Sequence, residues 1–117
     1  MIAHLRISLG VLLTAMALAI LPALPQAAAD EVEVTISIKD HKFEPAEVKV
    51  PAGKAIKLTV KNLDSTAEEF ESKPLKIEKV LAPGAKSSVV INPLKPGEYA
   101  FFDEFHPDTS RGKIVAK

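Results

Sequence analysis

Two short stretches of this 117-residue chain concentrate side chains able to hold a metal ion: Glu68-Glu69-Phe70-Glu71 and Asp103-Glu104-Phe105-His106. Carboxylates are hard oxygen donors, and with one imidazole they suit ferrous or ferric iron, manganese, or copper(II) in oxygen-rich geometry. A thiolate centre is excluded, because the chain has no cysteine. No serine-histidine-acid set, phosphate loop or paired acid/base site stands out. Each donor also has a plain structural reading. Glu68, Glu69 and Glu71 read equally as a charged edge strand that blocks aggregation, and His106 as a loop histidine bonded to a carbonyl. His41, in a turn before Phe43-Glu44-Pro45, has no partner by spacing and reads as a surface residue.

The elements that must position these groups are strands. Val32 to Ile38 alternates apolar residues with Glu33, Thr35 and Ser37, and Ile56, Leu58 and Val60 alternate with Lys57, Thr59 and Lys61, the period of two of half-buried strands. Val48 and Val50 precede a Pro51-Ala52-Gly53 turn, and Asn62 to Thr66 is turn-forming. Glu68 to Glu71 reads as a rim strand, while Leu75 to Leu81 fits either a strand or a single helical turn. Ser87 to Ile91, Tyr99 to Phe102 and Ile114-Val115 complete the set, separated by Pro83-Gly84, Pro93 to Gly97 and Gly112. Seven or so short strands at this spacing predict an all-β, antiparallel Greek-key β-sandwich. Tyr99, Phe101 and Phe102 read as packing, since the sandwich needs apolar volume and has no tryptophan.

Residues 1–29 read as a secretory signal peptide: His4 and Arg6, an apolar run from Ile7 to Leu24, then Ala27-Ala28-Ala29. Pro22 and Pro25 break the run short of a membrane span. The expected product is a periplasmic domain, residues 30–117, without a lipid anchor or direct membrane insertion. Loss of Arg6 would leave 14 basic against 15 acidic residues, no net field to attract nucleic acid or an anionic membrane.

The run Gly97-Glu98-Tyr99-Ala100-Phe101-Phe102-Asp103-Glu104-Phe105-His106 resembles the Gly-x-Tyr-x-Tyr-x-Cys-x-x-His segment of small blue copper proteins. Arg111-Gly112-Lys113-Ile114-Val115 is similar to the end of amicyanin-like cupredoxins, with Ser110 in the methionine position. Phe43-Glu44-Pro45, Val50 to Gly53 and Asn62-Leu63-Asp64 resemble the cupredoxin N-terminal half. The resemblance implies a cupredoxin-type sandwich in which Glu68 replaces the first histidine ligand and Asp103 the cysteine, while His106 is kept. Blue copper cannot form from these groups, which need a thiolate. The loops carrying Glu68, Asp103 and His106 would meet at one end of the sandwich, with Glu69, Glu71 and Glu104 as secondary ligands or an acidic patch.

Glu-Glu-Phe-Glu, Glu78-Lys79-Val80 with Ala82-Pro83-Gly84, and Phe-Phe-Asp-Glu-Phe-His are similar to cupredoxin-like periplasmic components of bacterial ferrous-iron uptake, including the cupredoxin domain of EfeO-type proteins. That resemblance implies an iron or copper ion as cofactor, and an inner-membrane iron permease and periplasmic iron-uptake proteins as partners. A ferroxidase-like activity is the most it implies in catalysis. The alternative is a metal-free interaction module that docks a partner protein through its acidic pole.

Overall fold

The computed structural model describes residues 3, 10, 14–20, 22 and 31–117. The Ala27-Ala28-Ala29 motif lies outside the described residues. Among the described residues, nine strands form two sheets: β1 Val32–Lys39, β2 Lys42–Glu44, β3 Glu47–Val50, β4 Ile56–Asn62, β5 Glu68–Ser72, β6 Ile77–Leu81, β7 Lys86–Ile91, β8 Gly97–Phe102 and β9 Arg111–Ala116. One sheet has the order β2-β1-β4-β7 and the other β3-β9-β8-β5-β6. The chain crosses between them repeatedly, and the apolar alternation of β1 and β4 turns Ile36, Ile38, Ile56 and Leu58 into the space between, each fully buried.

The antiparallel expectation needs correcting, for the sheets are mixed. β1 runs parallel to β4, and β3 parallel to β9. After the β1–β2 hairpin the chain passes to the opposite sheet as β3, so that β4 returns beside β1 in the same direction. In the segment Leu75 to Leu81, Ile77 to Leu81 form the edge strand β6, and Leu75 and Lys76 belong to the turn before it. Its sequence lacks a clean period because only Leu81 is fully buried, Ile77 half-buried and Glu78 to Val80 exposed.

Phe43, Phe70 and Phe101 form the aromatic centre of the core, with Phe43 edge-on to both others at centroid distances of 6.0 and 4.9 Å. Tyr99 packs against the core and donates its hydroxyl to the Lys95 carbonyl at 2.8 Å, while Phe102 is only half-buried. Packing of Phe101 against β9 leaves no room for a side chain at Gly112. A Cβ there would run into the Ala46 carbonyl and the Phe101 ring.

Strands β5 and β8 share one ladder pair, Glu71 with Phe102. Buried Ser72 adds a second tie, its hydroxyl donating to the Ala100 carbonyl at 2.8 Å. Ser72→Ala is expected to cost about 1 kcal/mol, the usual net worth of such a bond. Chemical denaturation checks it; an unchanged midpoint would show that β5 is held to β8 without this bond.

Candidate metal centre

Three loops at one end of the sandwich build the centre. The first is the two-residue β1–β2 turn, Asp40-His41, in which both residues have positive φ, 52° and 59°. This is the backbone of a type I′ hairpin, a conformation that aspartate tolerates well. The Asp64 carboxylate secures it by accepting the amides of Asp40 at 2.7 Å and His41 at 3.0 Å. Burial pushes the Asp64 carboxyl up, but those two bonds, together with the neighbouring Glu68 and His41 side chains, hold it below its ordinary value.

The second loop joins β4 to β5. Asn62 is fully buried, and its amide donates to the carbonyls of Thr66, Leu81 and Ala82 at 2.9–3.2 Å. Its oxygen accepts the Asp64 amide at 2.9 Å, an Asx turn that delivers the chain to Glu68.

The third loop, Asp103 to Ser110, closes on itself. Asp103 N–H donates to the Ser110 carbonyl at 3.0 Å, Ser110 N–H to the His106 carbonyl at 2.9 Å, and Phe105 N–H to Asp103 Oδ1 at 2.9 Å. The Ser110 hydroxyl donates to the His41 carbonyl, tying this loop to the first. Ser110 therefore fixes the His41 backbone.

These loops converge on the Glu68 carboxylate, which is fully buried. Glu68 Oε1 lies 2.6 Å from His41 Nδ1, and Oε2 lies 3.1 Å from His106 Nδ1. The two imidazoles stack at 3.7 Å between centroids and 22° between planes, one-third to two-fifths exposed. Asp103 is fully buried, and its Oδ2, 3.7 Å from His106 Nδ1, has no hydrogen-bond partner. The hydrogen bond to Glu68 pushes the His41 imidazole above its ordinary value, against a smaller opposing effect of desolvation. Burial, and then the adjacent Asp103, push the Glu68 carboxyl up.

The structure thus brings together Glu68, Asp103 and His106, as the sequence reading expects. His41 does lie at the surface, about two-fifths exposed, but the expectation that it has no partner is wrong. The I′ turn swings the imidazole over the pole, and His41, Glu68 and His106 each offer a donor atom within 4.8 Å of the others. Glu69, Glu71 and Glu104 do not join this group. They lie within 4.8 Å of one another in a separate cluster with Glu78, a residue that sequence reasoning missed. Burial, and then its acidic neighbours Glu71, Glu104 and Glu78, push the Glu69 carboxyl up to about 7.

The cupredoxin-like domain family matches residues 10–116. The chain belongs to the cupredoxin-like domain family. An uncharacterized protein of Rickettsia prowazekii (strain Madrid E), RP394, is 48% identical over 83 residues, 71% of this chain and 66% of that relative. Among solved structures, the fold is similar to the metal-binding domain of the Streptococcus pneumoniae D39 Cu(I)-exporting P-type ATPase CopA. There the TM-score is 0.67 at 12% identity, covering 75% of this chain and 87% of the other. It is also similar to auracyanin A, a blue copper protein of Chloroflexus aurantiacus, with TM-score 0.62 at 16% identity, covering 74% and 99%. These likenesses establish the cupredoxin fold, an all-β sandwich.

The donor set of this cupredoxin pole fits a metal but not a blue one. Two imidazoles and one carboxylate, with a buried, unpartnered Asp103 oxygen beside them, match the nitrogen and oxygen preferences of iron(II) and copper(II). No sulfur donor stands at the pole among the described residues: the chain has no cysteine, and Met16 lies outside the strands.

Proposed function

We propose that this cupredoxin-like domain is a periplasmic metal-binding protein that holds iron or copper at its pole and assists uptake of Fe(II), delivering it to an inner-membrane permease. The observation that carries the reading is the Glu68 carboxylate, fully buried yet pinned between the Nδ1 atoms of two partly exposed imidazoles. A buried charge is costly unless it is paired or coordinates a metal. Here the partners paired with it are themselves metal ligands facing solvent.

His41, Glu68 and His106 would hold the ion, with Asp103 as a fourth oxygen donor. Copper there would supply one-electron chemistry, and iron would be the cargo. The chain's own contribution is rigidity and access. Asp64 fixes the His41 turn, Asn62 the approach to Glu68, and Ser110 the two histidine loops. Exposure of both imidazoles leaves a path for an ion to enter and leave, as delivery requires.

The export, the permease and the periplasmic partners are inferred from residues 1–29 and from the iron-uptake resemblance of the two acidic motifs. Calorimetric titration with Fe(II), Cu(II) and Zn(II) tests the metal reading. One ion per chain, with Kd tighter than about 1 mM, equivalent to roughly 4 kcal/mol, is expected for Fe(II) or Cu(II). Absence of any such binding would contradict the reading in favour of a metal-free docking module. Oxygen uptake in the presence of Fe(II) then separates an oxidising protein from a carrier.

A further inference from the structure

A balance of charge close to neutral says nothing about where the charges stand. On the four-stranded sheet, burial of Ile38, Phe43, Val60 and Asn62 turns Lys39, Lys42 and Lys61 to the outer face. The register sets Lys39 directly opposite Lys42 across β1 and β2, and Lys61 directly opposite Lys86 across β4 and β7. Ile38 pairs with Asn62, so the two lysine pairs are offset by two residues along the sheet. They form a stepped belt about 14 Å wide, at strand spacings of about 4.8 Å. Like charges directly opposed across a strand pair are destabilising. Two such pairs stand here, with all four lysines exposed and none in an ion pair among the described residues.

The remainder of this face decides what the belt fits. Between the lysines it carries small hydroxyl residues, among them Thr59 and Ser88, joined by a hydrogen bond of 2.8 Å. Its acidic residues are Glu33, matched by Lys57 directly opposite at the far end, and Glu44, opposite Ser37. Unmatched positive charge on the face therefore gathers at the pole end, where Lys39 and Lys42 flank the Asp40-His41 turn. Protein–protein interfaces are enriched in aromatic residues, methionine and arginine and depleted in lysine. None of the enriched types faces outward from these four strands. Flexible point charges on a flat, hydroxylated sheet suit a surface that is anionic without fixed geometry, as the headgroups of a charged bilayer are.

We propose that the outer face of the four-stranded sheet docks on a bilayer of anionic phospholipids through Lys39, Lys42, Lys61 and Lys86. The attachment is electrostatic and involves no insertion. Each lysine held near an anionic membrane strengthens it about fivefold, within a Debye length of the surface. Because the matched far end of the face gains little, the belt tips the pole towards the headgroups and brings the His41 turn beside them. The docking stands on the lysine face alone; its use, presenting an ion to an acceptor in the membrane, rests on the delivery proposed above.

The test is co-sedimentation of metal-free residues 30–117 with vesicles of equal parts phosphatidylglycerol and phosphatidylcholine, against phosphatidylcholine alone. Every residue of the buried core lies between Ile36 and Ala116, so this segment holds the whole folded unit and omits the apolar run before it. Working without metal separates this result from the metal reading of the pole. Partitioning onto the acidic vesicles at about 0.1 M salt should exceed that onto the neutral ones at least about tenfold, and vanish at about 1 M, where the Debye length is about 3 Å. The Lys39→Gln/Lys42→Gln/Lys61→Gln/Lys86→Gln variant should bind at least about tenfold more weakly. The control Lys49→Gln/Lys73→Gln/Lys76→Gln/Lys79→Gln changes net charge equally on β3, β6 and the turn before β6, and should stay within about threefold of wild type. Thermal melts confirm that both variants fold. Equal binding to the two kinds of vesicle, binding indifferent to salt, or equal losses in the two variants would overturn the proposal. Binding to polyglutamate without binding to acidic vesicles would also overturn it, assigning the face to an acidic protein.

Discussion

Glu68→Gln is expected to weaken Cu(II) or Fe(II) binding at the pole by at least about a hundredfold. Removing a partner that merely orients a metal ligand costs roughly 10–100-fold. Glu68 contacts both imidazoles itself, so it stands to contribute more. Glutamine keeps the volume and an accepting oxygen, but it loses the negative charge and turns an NH2 group towards one of two ring nitrogens. The comparison is cleanest by calorimetry, with a thermal melt of each metal-free protein to confirm folding. Affinity within tenfold of wild type would mean that the ion, if bound, sits elsewhere.

The second large effect concerns stability and pH in the metal-free protein. The Glu69 carboxyl titrates near 7 in the folded chain, against an ordinary value near 4.3 once unfolded. Between these values the folded state retains a proton that the unfolded state has lost, so stability falls as pH rises. The contribution is fully present below the unfolded value and lost once pH passes the folded one. Each unit is worth about 1.4 kcal/mol, and Glu69→Gln should therefore stabilise the metal-free protein at pH 8 by at most about 3–4 kcal/mol. At pH 4 the same substitution should be nearly neutral. Denaturant unfolding at the two pH values provides the check, and equal effects at both would show that the cluster does not store a proton.

How much of this could be read in advance follows from the range of each interaction. Alternation in Val32 to Ile38 and in Ile56 to Val60 declares two half-buried strands, because period-two burial is local. That these strands pair in parallel is not local. It depends on a return through the opposite sheet, and nothing within either segment encodes it. β6 eluded the period test for another reason: an edge strand with one fully buried residue has almost no pattern to show.

The site divides in the same way. Glu68, Asp103 and His106 were found because the resemblance to cupredoxins aligns them with ligand positions. His41 was not, because its partner Glu68 is 27 residues away and only the hand of a two-residue turn decides whether its ring faces solvent or the pole. A usable signal was present. Asp40-His41 sits between Ile38 and Phe43, two apolar residues that flank a tight hairpin, and an aspartate that tolerates positive φ suggests the I′ turn. Glu78 was missed with its strand; once β5 and β6 are paired through the Lys73-Pro74-Leu75-Lys76 loop, it falls opposite Glu71.

The central claim is that the pole binds a metal through two imidazoles and the Glu68 carboxylate. The most direct measurement is pulsed electron paramagnetic resonance of the protein loaded with one equivalent of Cu(II), compared with its His41→Ala variant. The expected spectrum shows two coordinated imidazole nitrogens in the wild type and one in the variant. A single imidazole in both proteins, or copper whose spectrum is untouched by loss of His41, would contradict the claim.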